Sequence, residues 1–190
     1  MKIGLFFGSF NPIHIGHLII AQTMLDSPHI DELWFVVSPQ NPHKKNKNLL
    51  HEFDRYDMVK AAIDEQPKFK VSDVEFQLSK PSFTINTLTV LREKYPKNDF
   101  SLIIGADNLA SFHRWKNYES ILENFNLLVY PRPQSKESPL IPSPKIQFVN
   151  APMLDISATF VRAKIKNGHS IKYLVPIEVE EYIERKKLFL

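Results

Sequence analysis

The sequence predicts an α/β fold built on an open, mainly parallel sheet, and three observations predict it. Short apolar runs rich in strand formers recur along the chain: Lys2 to Phe7, Glu32 to Ser38, Phe100 to Gly105 and Asn126 to Tyr130. Helical patterns lie between them, and a strand, helix and strand so spaced imply a right-handed crossover and parallel pairing. The 190 residues, 43% of them apolar, suffice for one sizeable domain, residues 1–190, and are few for two.

Taken in order, Lys2 to Phe7 has the pattern of a buried central strand, and Gly8 breaks it. Ser9, Asn11 and Pro12 are turn residues. Ile15, Leu18, Ala21 and Leu25 then follow helical spacing. His14 therefore stands at or just before a helix start and His17 in its first turn, on the same side. Such a start offers unpaired N–H groups and a positive dipole end, which suits phosphate. Either histidine alone would read as an idle surface or half-buried side chain.

After the strand Glu32 to Ser38, the stretch Pro39 to Asn48 carries three lysines and His43 and no large apolar residue. A solvated loop is its plain reading. Its place at the carboxyl end of a strand, where open α/β sheets bind ligands, raises its interest. His51 to Glu65 reads as an amphipathic helix with Phe53, Met58, Val59, Ala62 and Ile63 mainly on one face. Arg55, on that helix, would on the plain reading pair with a neighbouring acid. Phe69 to Val74 is a further strand. Pro81 to Tyr95 is a helix with Ser82 or Thr84 as its N-cap and Leu88, Leu91 and Tyr95 at helical spacing. Asp107, just after the strand Phe100 to Gly105, reads as a simple N-cap, and Trp115 as core. Pro131 to Pro144 holds five prolines, which forbids regular structure and suggests an extended surface excursion. Lys145 to Val149 returns to strand character. Ser157 caps a helix that Gly168 ends, and Pro176 to Lys187 is a last helix with acids before bases.

Composition narrows the chemistry. Zero cysteines exclude disulfides and thiolate metal sites and fit a reducing compartment. No apolar stretch approaches a membrane span and no signal-peptide cleavage site is visible, so a cytoplasmic protein without membrane contact is expected. The formal charge of +3 suits polyphosphate substrates as well as nucleic acid. The basic residues sit in separate loops rather than interleaved with aromatics along one surface, which argues against a nucleic-acid partner. There is no GxSxG and no compelling carboxylate pair for covalent or glycosidase-type catalysis. Imidazoles, a lysine, an arginine and helix starts remain, all suited to negative charge, and phosphoryl or nucleotidyl transfer needs little else.

The segment GSFNPIHIGH resembles the (G/T/S)FxPxHxGH signature of the nucleotidyltransferase superfamily of adenylyl- and cytidylyltransferases, and ISATFVR, Ile156 to Arg162, resembles its ISxTxxR motif. The resemblance implies a Rossmann-like sheet with helices on both faces. It implies that His14 and His17 contact the reacting phosphates and that Ser157, Thr159 and Arg162 bind the outer ones, with Gly8, Ser9, Phe10 and Ile156 also at ATP. Relatives often have a glycine and an aspartate where this chain has Phe7 and Asn11.

Within the superfamily the chain is most similar to the bacterial nicotinate mononucleotide adenylyltransferases. NPHK resembles their PPHK, with Asn41 for the first proline, and matches Lys44 to a lysine at the phosphates. Arg55 and Met58 match an RxxM pattern, and PSFTINTL resembles PSYTxDTL with Phe83 for tyrosine and Asn86 for aspartate. The resemblance implies Phe83, Thr84, Trp115 and Lys116 at the pyridine substrate, Gly105 and Asp107 at the ribose and Arg132 near the adenine. The closing helix fits a VPxxVxxYI pattern through Val175, Pro176, Val179, Tyr182 and Ile183. The implied reaction joins nicotinate mononucleotide and ATP by in-line attack on the α-phosphate, releasing pyrophosphate. His14, His17, Lys44 and Arg162 would be catalytic, and magnesium would be held mainly by ATP phosphates, with no protein metal site. A homo-oligomer is left open. Phosphopantetheine adenylyltransferase, which shares both phosphate motifs, and a nucleotide-binding protein without turnover are the rival readings.

Overall fold

A computed structural model describes residues 1–39, 49–133 and 135–190. Along these the chain forms β1 (Lys2–Gly8), α1 (Ile15–Leu25), β2 (Glu32–Val37), α2 (Glu52–Ile63), β3 (Phe69–Ser72) and α3 (Thr84–Lys94). It continues with β4 (Asp99–Gly105), α4 (Ala106–Ser111), α5 (Tyr118–Asn124), β5 (Asn126–Tyr130), β6 (Ile146–Phe148), α6 (Ala158–Lys166) and α7 (Ile177–Lys186). Short 3-10 turns stand at Val74–Gln77 and Phe112–Arg114.

The strands pair in the order β3-β2-β1-β4-β5-β6, every pair parallel. This is a doubly wound, Rossmann-like sheet. The apolar runs are continuous because both faces are covered. Alternate residues feed opposite cores: Ile3, Leu5, Trp34, Val36, Leu102 and Ile104 pack with Leu88 and Leu91 of α3, Leu109 of α4 and Ile121 of α5. Phe6, Leu33, Phe35, Val37 and Ile103 pack with Ile20 and Met24 of α1, Met58 and Val59 of α2, Val161 of α6 and Val179 and Ile183 of α7. The chain winds outward from β1 to β3, then returns to add β4 beside β1. The loops after β1 and β4 therefore leave toward opposite faces, and a crevice opens at their carboxyl ends.

Most expected elements stand within a residue or two of the reading, with instructive departures. The strand at Phe69 stops at Ser72, and Val74 starts a 3-10 turn; the strand expected over Lys145 to Val149 spans only Ile146–Phe148. In α1 the buried stripe is Gly16, Ile20, Ala21 and Met24, rotated from the expected Ile15, Leu18, Ala21 and Leu25, because α1 is apolar nearly all round and periodicity alone sets no face. Phe53, expected in the core, is 60% exposed at the first turn of α2, where its ring meets His51 and Phe76. The α3 N-cap is Phe83, without a side-chain bond, rather than Ser82 or Thr84. The proline-rich excursion has no helix or strand among its described residues, yet Ser138 is buried and its hydroxyl donates to the Leu109 carbonyl at 3.1 Å. At the C-terminal end, the Tyr182 hydroxyl lies 3.0 and 3.1 Å from carboxylate oxygens of Asp54 and Asp57, fastening α7 to α2. Val175, Val179, Tyr182 and Ile183 of the closing motif are all buried.

Candidate active site

The β1–α1 loop is shaped from beneath by an aromatic ring. Phe10 takes a left-handed φ of 44° and turns its side chain into the core, against Phe6, Phe35 and His17. Its ring lies so close to the Gly8 α-carbon that a Cβ there would meet ring atoms at 2.7 Å. Gly8 and Phe10 are thus one device: the glycine lets the loop close over its own anchor.

Arg55 holds the same loop from behind. Its side chain is fully buried, and it donates to four carbonyls: Leu50 at 3.0 Å, Ser9 at 2.6 Å, Ser38 at 2.7 Å and Pro39 at 3.0 Å. The expected pairing with a helix acid is replaced by this clamp on three chain segments. Burial lowers its pKa to about 10, so the guanidinium stays charged at neutral pH.

At the start of α1 the His14 and His17 rings stack with centroids 3.7 Å apart. The His14 backbone N–H donates to His17 Nδ1 at 3.2 Å. That nitrogen is an acceptor, so a neutral His17 carries its proton on Nε2 and is a donor there. Burial, and then the Arg132 charge, lowers the His14 pKa to about 4; burial, His14 and Arg132 push His17 down as well. Both imidazoles are neutral at pH 7. Among the described residues, His14 Nδ1 is buried without a hydrogen-bond partner. One of the helix-start donors expected to face phosphate is already used, since the Ile15 N–H bonds the Leu174 carbonyl at 3.0 Å.

The second motif meets the first directly. Ser157 caps α6, its hydroxyl accepting from the Phe160 N–H at 3.2 Å. Arg162 Nη1 donates to the Asn11 carbonyl at 2.7 Å, and Nη2 to Thr159 Oγ1 at 3.2 Å. A Cβ on Gly16 would come within 2.5 Å of Ile156, so this glycine permits the contact between α1 and the segment preceding α6. Across the cleft, Asp107 does not cap α4, whose N-cap is Gly105; its carboxylate folds back over Gly105 and lies 3.9 Å from Arg132 Nε.

These parts enclose a cleft of about 590 Å³. A second pocket of about 120 Å³ adjoins it, sharing Gly8, Asn108, Trp115 and Tyr130 and lined further by Ser82, Phe83, Thr84 and Lys116. Both pockets open at the sheet's switch point, where doubly wound sheets bind ligands.

The cytidylyltransferase-like family profile matches residues 5–164. A Cytophaga hutchinsonii protein named "Probable nicotinate-nucleotide adenylyltransferase" is 58% identical, over 100% of this chain and 98% of its own. The chain belongs to the nicotinate-nucleotide adenylyltransferase family. A Bacteroides thetaiotaomicron protein of the same name is 42% identical, covering 96% of this chain and 91% of its own. The fold is shared with Plasmodium falciparum nicotinic acid mononucleotide adenylyltransferase complexed with NaAD, at TM-score 0.82 and 23% identity over 99% of this chain and 97% of that one.

Against this adenylyltransferase fold, the expected site residues that the structure describes fall into three groups. Gly8, Ser9, Phe10, His14, His17, Arg132, Ile156, Ser157, Thr159 and Arg162 line the large cleft, and Trp115 lines both pockets. Phe83, Thr84 and Lys116 line the small one, with Lys116 Nζ 4.6 Å from the Phe83 ring centroid. Gly105 and Asp107 line neither and reach the cleft through Arg132. Lys44 lies outside the described residues. Asn108 and Ser111 also line the cleft and were not singled out from the sequence, where nothing but their position after the β4 strand end marks them; Arg114, another lining residue, lies in the segment His113 to Tyr118, which resembles the family's segment around its tryptophan. Among the described residues no group of three or more His, Cys, Asp or Glu comes together to hold a metal ion, and no helix is long and apolar enough to cross a membrane.

Proposed function

We infer that this chain transfers the adenylyl group of ATP to nicotinate mononucleotide, giving nicotinate adenine dinucleotide and pyrophosphate in NAD biosynthesis. The observation that carries this reading is the stacked, neutral His14–His17 pair lining the large cleft, which shares Gly8, Trp115 and Tyr130 with the smaller pocket. ATP fits the larger cleft, with its outer phosphates toward Thr159 and Arg162, and the mononucleotide fits the aromatic pocket of Phe83 and Trp115. The mononucleotide's phosphate, already ionised, attacks the α-phosphate in line and needs no general base. His17 Nε2–H donates to the phosphate oxygens as charge builds on them. A neutral donor is well suited here, because it strengthens its bond in the transition state without having bound the ground state as a cation would. Arg132 and Lys44 add positive charge. Magnesium is a hard cation that keeps oxygen ligands, so phosphate and water oxygens rather than the histidines would hold it, and it would offset charge on the triphosphate.

The test is ATP-dependent pyrophosphate release with nicotinate mononucleotide, nicotinamide mononucleotide or phosphopantetheine as acceptor. The first should be preferred. At the start of α3 the N-cap Phe83 offers no side-chain acceptor to the leading N–H groups. Donors facing an anion suit a carboxylate, whereas an amide turns its own donors toward them. A hydrogen bond to a charged group is worth about 1.5–3 kcal/mol, so the preference should be roughly ten- to a hundredfold in kcat/KM. Equal constants for the two pyridine nucleotides would overturn the nicotinate assignment, and turnover of phosphopantetheine alone would move the chain to the rival activity.

A further inference from the structure

Behind the smaller pocket a carboxylate is shut away from water without an ion pair to a described residue. Glu75, in the Val74–Gln77 turn, is 2% exposed. Its Oε2 accepts from the Ser82 hydroxyl at 2.8 Å and its Oε1 from the Thr87 hydroxyl at 2.7 Å, and both partners are buried. Burying a charge is costly, and two neutral donors offset that cost only if their geometry is tightly kept.

The two hydroxyls bracket the start of α3. Ser82 precedes the helix, Thr87 stands in its first turn, and between them lie Phe83 and Thr84, which line the pocket. The N-cap Phe83 makes no side-chain capping bond among the described residues, and the two hydroxyls that flank this entry both bond Glu75 behind it. We propose that Glu75 is a positioning residue for the pyridine mononucleotide, holding the Phe83–Thr84 entry to α3 in the conformation that receives it. The proposal rests on the reading of the small pocket as the mononucleotide site.

A merely structural carboxylate would affect both substrates alike, whereas a positioning one separates them. The experiment measures KM for nicotinate mononucleotide and for ATP, with melting temperature, in the wild-type protein and in Glu75→Ala, Glu75→Gln and Thr87→Ala. Glu75→Ala should raise KM for the mononucleotide tenfold or more while KM for ATP stays within twofold. Glu75→Gln keeps one acceptor oxygen and should fall between wild type and Glu75→Ala. If Glu75→Ala does not fold, Thr87→Ala, which removes one of the two bonds at a residue that lines neither pocket, carries the test with an expected rise of about threefold for the mononucleotide alone. Equal rises in both KM values, or no rise in folded variants of an active enzyme, would overturn the proposal. A wild-type protein inactive on nicotinate mononucleotide would instead overturn the reading of the pocket on which it rests.

Discussion

His17 is held as a donor by one backbone contact, the His14 N–H on its Nδ1. Replacing it with alanine should lower turnover roughly a hundredfold or more while ATP affinity changes far less, because the lost bond strengthens mainly in the transition state. Single-turnover rates and equilibrium ATP binding check this; near-normal turnover would remove His17 from the mechanism. His14 makes a separate prediction. Its folded pKa of about 4 lies below the 6.5 of an unfolded histidine. The unfolded chain therefore binds the extra proton between those values, so stability is full above about pH 6.5 and declines as pH falls toward 4. For this nearly buried ring the loss is of order 3 kcal/mol. His14→Gln should reduce the slope of that part of the acid-stability curve, leaving the share that the buried His17 contributes, and NMR should place the His14 titration near 4; a midpoint near 6.5 would contradict the burial argument. At this scale the sequence was informative wherever neighbours in the chain are neighbours in space, as in the histidine pair. It was uninformative for Arg55, whose four acceptors are backbone carbonyls contributed by Ser9, Ser38, Pro39 and Leu50. No side-chain pattern marks a carbonyl.

The joining of α6 to the β1–α1 loop is the corresponding feature among the elements. The two motifs were legible separately, and Ser157 as a cap and Gly168 as a helix end were readable because capping chemistry is local. Their contact was not. Arg162 spends Nη1 on the Asn11 carbonyl and Nη2 on Thr159, so the fork expected at phosphate also fastens the two motif segments together. Arg162→Lys keeps the charge but cannot make both bonds and reach a phosphate. It should raise KM for ATP about tenfold or more and lower stability by about 1 kcal/mol. Steady-state kinetics with denaturant unfolding decide: a lysine variant equal to wild type in both would make Arg162 a helix-surface residue. The same limit explains Asp107 and Ser82. Each carries a good capping side chain at a helix start, but Asp107 lies near Arg132 and Ser82 donates to Glu75, and these partners come from elsewhere in the fold.

In the whole molecule, periodicity yielded the alternation of strands and helices, and the continuous apolar runs implied a sheet covered on both faces. Strand order was beyond periodicity, since β4 joins β1 across a separation that no local pattern records; the motif resemblance implied a Rossmann-like sheet and left its order to the structure. That order puts the β1–α1 loop and the 106–116 segment after β4 side by side, and the Arg162–Asn11 bond closes the cleft from the α6 side. ATP in this cleft would touch segments from both halves of the winding, which come together only in the native sheet. It should therefore bind the folded chain and not the unfolded one, and stabilise it by mass action. At a concentration a hundred times its Kd that stabilisation is about 2.7 kcal/mol. For a chain of this size about 1 kcal/mol corresponds to roughly 2–4 °C, so the melting temperature should rise by about 5–11 °C. Thermal unfolding in an ATP series, with Kd measured independently by calorimetry, checks the expectation. Arg162→Lys should need a correspondingly higher ATP concentration for the same rise. A saturating shift below about 2 °C would mean that the cleft does not hold ATP as a bridge between the two motifs.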